Sequence, residues 1–166
     1  MRVSKRSEAG LLFFNDEGDE AGGLTYRGER VNGRPFALGA FTFDQSKQDQ
    51  TIAIRYNDVD GQRTAALEVW DRSDQPLSDL LKRLNEATKI DNAAERAAAE
   101  RRVRESAPPA PRRVYVGKTA DRAATVSLSD GNGKPRLRMT VDATGNPRIK
   151  LLDANGEVTN RWPAQQ

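Results

Sequence analysis

The chain contains neither cysteine nor histidine in its 166 residues. Without cysteine there is no thiol nucleophile, no disulfide frame and no cysteine-held zinc or iron–sulfur cluster. The lack of histidine is more restrictive, since it removes His-dependent triads, His-ligated metals and imidazole bases. Any catalysis would rest on carboxylates, Lys, Arg, Tyr or Ser, and any metal site would be built from oxygen alone. No apolar run approaches the roughly 20 residues of a membrane-spanning helix. The start, Met1-Arg2-Val3-Ser4-Lys5-Arg6, is not followed by the hydrophobic region of a signal peptide. This segment is therefore not expected to insert into a membrane, and the compartment is not legible in the chain. A strong excess of one charge is missing too. The 27 basic and 24 acidic residues leave a net +3, too little for a general attraction to nucleic acid or acidic membranes.

What is present is a recurring tight-turn signal, Asp or Asn followed shortly by Gly. It stands at Asn15-Asp16-Glu17-Gly18, Asp58-Val59-Asp60-Gly61, Asp130-Gly131-Asn132-Gly133, Asp142-Ala143-Thr144-Gly145 and Asp153-Ala154-Asn155-Gly156. Such sequences tolerate positive φ and close β-hairpins, so the chain reads as up-and-down strands. The hydrophobic pattern agrees. A two-residue turn at Asp60-Gly61 sets Ile54 opposite Leu67 and Ile52 opposite Val69. A turn at Asn132-Gly133 sets Leu128 opposite Leu137 and Val126 opposite Met139. Further on, a turn centred on Gly145 keeps the odd-numbered apolar positions on one face. It places Arg148 opposite Asp142, Lys150 opposite Thr140 and Arg138 opposite Leu152, which interleaves the charges.

Between the two strand sets the period changes from two to that of a helix. Leu77, Leu80, Leu81 and Leu84 repeat at helical spacing, with Asp74 as the expected N-cap and Pro76 in the first turn. Asp91 is placed to cap a second helix, Asn92 to about Glu105, whose apolar face is alanine plus Val103. Ala107-Pro108-Pro109-Ala110-Pro111 ends it as a stiff linker. The expected fold is mainly β, an antiparallel meander of about ten strands with an inserted helical hairpin. Its parts are an N-terminal β half over 8–72, a helical insert over 73–107, a Pro-rich linker over 108–113 and C-terminal hairpins over 114–162. Together they form one compact domain.

Three segments, Leu11 to Glu20, Phe41 to Gln50 and Val69-Trp70-Asp71-Arg72, stand beside the Asp-x-x-Gly repeats of Ser129 to Val158. In this combination, from about Glu8 to Trp162, the chain resembles a family of bacterial proteins of uncharacterised function. The resemblance implies an N-terminal hydrophobic anchor and a further strand–turn repeat ahead of this region, neither of which is in the sequence. It therefore implies an extracytoplasmic soluble portion of an anchored protein. It also implies a cysteine in relatives where this chain has Ala21. No catalytic residue comes with it.

Three residue clusters stand out. Asp16, Glu17, Asp19 and Glu20 could supply several of the six to eight oxygens that calcium needs, without the full loop of a calcium-binding hand. Asp44, Gln45, Gln48, Asp49 and Gln50 could hold a glycan; the alternative is a corner whose side chains satisfy backbone groups. Arg96, Arg101, Arg102 and Arg104 could dock an acidic partner, although interspersed glutamates point to a solvated helix. Trp70 and Trp162 read as core or rim anchors. The expected function is a non-enzymatic structural or interaction module, with self-association or a protein partner and no cofactor. The alternatives are a ligand-binding β domain for glycan or calcium and, ranked last, a carboxylate-based hydrolase.

Overall fold

A computed structural model describes residues 7–164. The strands are β1 (Ser7–Phe14), β2 (Glu20–Val31), β3 (Arg34–Asp44), β4 (Gln50–Val59) and β5 (Gln62–Trp70), followed by helices α1 (Leu77–Thr88) and α2 (Ala93–Glu105). After the helices come β6 (Arg112–Lys118), β7 (Ala124–Ser129), β8 (Pro135–Val141), β9 (Pro147–Leu152) and β10 (Val158–Trp162). All ten strands form one antiparallel sheet in chain order. The helical hairpin interrupts the sequence but not the sheet, because β5 pairs directly with β6, Leu67 opposite Val116 and Val69 opposite Val114.

The turns explain why the chain reverses where it does. Four of them share one geometry, at Asn15, Asp130, Asp142 and Asp153. In each, the side-chain Oδ1 accepts from the amides two and four residues on, at 2.8–3.1 Å. The glycine three residues on has φ between 78° and 92° and donates its amide back to the first carbonyl. Only a residue without Cβ adopts that backbone at no steric cost, which is why Gly18, Gly133, Gly145 and Gly156 recur at this spacing. The two-residue turns Asn32-Gly33 and Asp60-Gly61 have positive φ at both positions, the requirement of a type I′ hairpin.

The hydrogen bonds of these turns also make Asp142 unusually acidic. The Thr144 hydroxyl and the Asn146 amide donate to its carboxylate and bring its pKa down to about 2. Because the folded value lies below the unfolded one, this contribution to stability is complete above the ordinary carboxylate value. It is lost as pH falls toward 2. The denaturant midpoint should therefore drop between pH 5 and pH 2, and less so in Asp142→Asn, as urea titrations would show.

One expected register is corrected. Between β8 and β9 the pairs are Leu137–Leu151, Met139–Ile149 and Val141–Pro147. The turn is centred on Thr144, with Asp142 and Asn146 closing it and Gly145 one place past its middle. A two-residue slip leaves every side chain on its proper face, so hydrophobic parity could not separate the two registers. The consequence is electrostatic. Arg138 lies opposite Lys150 rather than Leu152, and Lys150 lies opposite Arg161. The interleaving of opposite charges fails along this row, although Arg148 still reaches Asp142 at 3.6 Å. Cross-strand pairs of like charge are unfavourable. Lys150→Glu should stabilise the fold by about 1 kcal/mol, raising Tm by about 3 °C in a thermal melt at low salt.

The helix caps differ from expectation by one or two residues. Pro76, not Asp74, precedes α1, whose first amide, Leu77 N, donates to Lys47 O at 2.8 Å. Asn92, not Asp91, caps α2, its Oδ1 accepting from Ala94 N and Glu95 N. The asparagine wins because it occupies the last extended position before the helix. Ala87 is buried and Leu77, Leu80 and Leu84 are half-buried, whereas Leu81 is exposed. The two helices pack on each other, and among the described residues neither is laid along a strand.

Candidate interaction surface

Directly paired residues in a sheet share a face, so the register sorts the side chains. One row runs through all ten strands: Leu11, Leu24, Phe41, Ile54, Leu67, Val116, Val126, Met139, Ile149 and Trp162. A second runs from Phe13 through Phe43, Ile52, Val69, Val114, Leu128 and Leu137 to Leu151. Tyr26, Tyr56, Ala65, Ala124 and Val141 contribute a third, interrupted by Lys118. Apart from Lys118 these three rows are apolar. The face is also bare: Ile54 is 56 % exposed and Leu67 38 %, although both lie in the middle of the sheet. No large side chain among the described residues is fully buried.

The face is not flat. At its β1–β3 end Phe13, Phe41 and Phe43 cluster, with ring centroids 4.9–6.4 Å apart. At its β6–β10 end Val116, Val126, Met139, Ile149 and Trp162 line an apolar hollow of about 510 Å³. Asp58 sits at one margin, buried and held by Arg63 Nε at 2.8 Å and Gly61 N at 3.0 Å. The Arg63 hydrogen bond lowers its pKa below the ordinary carboxylate range. Trp162 lies on this face and is 62 % exposed.

The opposite face is polar and better filled. Ala53 is fully buried there, and Glu68 ion-pairs with both Arg55 and Arg112. The Arg55 guanidinium lies 5.0 Å from the Trp70 ring, Arg72 lies 5.9 Å from it, and Arg112 covers Tyr115. Burial, with the nearby Glu68 charge, raises the Tyr115 pKa. A groove of about 840 Å³ runs past these groups toward Arg138. Arg138, Lys150 and Arg161 extend it as a cationic row, and none of them has an ion-pair partner among the described residues.

The residues singled out in the sequence fall elsewhere. Gln45, Gln48 and Gln50 form the corner that ties the helical hairpin to the sheet. Gln45 Nε2 donates to Ser73 O at 3.1 Å, Gln48 Nε2 donates to Gln75 O, and Gln50 O accepts from Arg72 Nε at 2.7 Å. Asp49 faces Arg72 at 3.7 Å. Asp44 has a raised pKa, caused by burial and by the charges of Glu20 and Asp49, and its Oδ1 has no hydrogen-bond partner. In the acidic turn Glu17 pairs with Lys47 at 3.3 Å, and Asp16 and Asp19 are exposed. Among the described residues no three carboxylates are grouped as a metal site would need. On α2, Arg96 donates to Ile90 O, Arg104 pairs with Glu100 at 3.1 Å, and Arg101 and Arg102 are exposed.

Comparison of the chain with protein-family models, curated proteins and solved structures gave no match. The function must be read from the surface. The sequence signal for that surface was the matching of apolar positions across the hairpins at Asp60-Gly61, Asn132-Gly133 and Gly145. The signal for the polar groove was absent, because Trp70, Tyr115 and Arg138 lie far apart in the chain and are brought together through the β5–β6, β6–β7 and β7–β8 pairings.

Proposed function

We propose that this chain is a non-enzymatic interaction module whose working surface is the bare apolar face of its sheet. The observation that supports this is the ten-strand row from Leu11 to Trp162 with nothing packed over it among the described residues. Exposed apolar patches beyond a few hundred Å² mark contacts with a protein or a lipid, because water contact with so much hydrocarbon is costly. The resemblance to membrane-anchored bacterial proteins fits a module displayed on a tether, and the membrane-proximal placement is part of the proposal. The test exploits the absence of native cysteine. A single thiol at Val126→Cys should react with maleimide at least tenfold more slowly than one at Thr140→Cys on the polar face. Equal rates both for the chain alone and with phosphatidylcholine vesicles added would defeat this reading.

The groove past Trp70 and Tyr115 favours a second reading, a ligand-binding β domain for a glycan. Aromatic rings beside hydroxyls and charges suit a sugar, although Arg55 and Arg72 already occupy the Trp70 faces. A glycan array with the wild-type chain and Tyr115→Ala decides it; binding lost in the variant supports the groove.

A further inference from the structure

We infer that the occupant of the apolar face is a second copy of this chain, packed face to face as a two-fold β-sandwich. This rests on the interaction reading above and goes beyond it by naming the partner and its orientation.

The surface area supports a large interface. A compact monomer of 18.4 kDa exposes about 8,200 Å². This chain exposes 11790 Å². The surplus is about 3,600 Å², part of it on the helical hairpin that stands off the sheet. Ten strands and three rows of inward side chains give the apolar face a footprint of about 1,000 Å². A stable pair needs about 800 Å² from each partner. The face is large enough by itself.

Its relief is self-complementary. A two-fold axis running along the strands, midway between β5 and β6, lays β1–β5 of one copy over β10–β6 of the other. The Phe13–Phe41–Phe43 cluster then sits above the hollow lined by Val116, Val126, Met139 and Ile149, and the reverse contact is made by symmetry. Phe41 on the third strand lies over Met139 on the eighth, both in the same row. Aligned sandwiches of this kind pack about 10 Å apart with interdigitating side chains, and isologous contacts close without forming fibres.

The charge distribution argues against a lipid occupant. Surfaces that lie on membranes place Lys and Arg around the apolar patch, where they meet anionic headgroups. Here Arg138, Lys150 and Arg161 stand on the opposite face, while the apolar side carries Lys118 within its third row and Arg63 paired with Asp58 at its margin. Attraction to an acidic bilayer would turn the apolar side away from it.

Light scattering on the purified chain should give twice 18.4 kDa. Leu67→Lys and Val116→Lys, each at an exposed site in the middle of the face, should halve the mass while circular dichroism keeps its strand signal. Arg138→Glu on the polar face should leave the mass unchanged. Mixed and oxidised, Phe41→Cys and Met139→Cys should form a disulfide-linked pair, whereas Phe41→Cys alone should not, the two sites being about five strand spacings, roughly 24 Å, apart. A wild-type mass of 18.4 kDa at about 100 µM, far above a nanomolar-to-micromolar Kd, overturns the inference. So does a dimer that survives both lysine variants, or one linked through Phe41→Cys to itself. If the monomer instead protects Val126→Cys upon adding phosphatidylcholine vesicles, the second copy is excluded and the interaction module stands. If Val126→Cys reacts freely in every condition, both fall.

Discussion

Gly22→Ala should cost about 3 kcal/mol or more, combining backbone strain with overpacking, and lower Tm by roughly 6–12 °C. Gly22 has φ of 131°, a backbone that L-residues rarely adopt. It is also buried between strands: a Cβ there would lie 2.2 Å from Thr42 O and 2.9 Å from Phe43 Cα. Both atoms belong to the backbone of the neighbouring strand, so neither can swing away. The glycine has a second consequence. It stands between Phe13 and Phe43 in the second row, and its missing side chain lets those two rings meet across β2 at 6.4 Å. A methyl group would separate them and loosen β1, which is an edge strand held by β2 alone. Urea denaturation of the variant checks the magnitude. The loss should be concentrated in β1, so hydrogen exchange should show Leu11 and Phe13 opening before Ile54 and Leu67. A variant as stable as the wild type would mean that the sheet can absorb the methyl by shifting β2 as a body.

The meander was legible because its signals are local. A glycine three residues past Asn15, Asp130, Asp142 or Asp153 needs only its own turn to explain it, and the parity of apolar residues needs only its strand. Ile54 opposite Leu67 and Val126 opposite Met139 followed from those two facts. The β8–β9 register did not, since Gly145 marks a turn without saying whether it lies at the centre or one place beyond. Helix starts slipped for a related reason. Asp74 and Asp91 have capping side chains, but which residue is last to be extended depends on the chain's path, and α1 takes its first partner from Lys47, distant in sequence. The least legible feature was the emptiness above the sheet. Composition gave residues enough for a core, and nothing in the order of residues says that ten strands stay in one layer. That is a tertiary fact, and the functional reading hangs on it.

On the polar side, the site with the most to lose is Glu68. Its carboxylate is 12 % exposed and lies between Arg112, with which it is in close contact, and Arg55, whose Nε stands 3.8 Å away. Removing it leaves two guanidinium groups, Arg55 over Trp70 and Arg112 over Tyr115, with no carboxylate to share. Breaking one member of a buried pair is expensive because the surviving charge stays desolvated; the arginines here remain partly wet, which reduces the cost. Glu68→Ala should therefore destabilise the chain by about 2 kcal/mol, a Tm loss of roughly 4–8 °C. Glu68→Gln, which keeps the shape and a hydrogen-bond acceptor, should cost less. In a double-mutant cycle with Arg112→Ala the coupling should exceed about 1 kcal/mol. Additive single effects would mean that Arg112 is held by Tyr115 rather than by the carboxylate. Salt separates the two outcomes further. An ionic contribution shrinks between low and high ionic strength, while a contact with a ring face is far less screened.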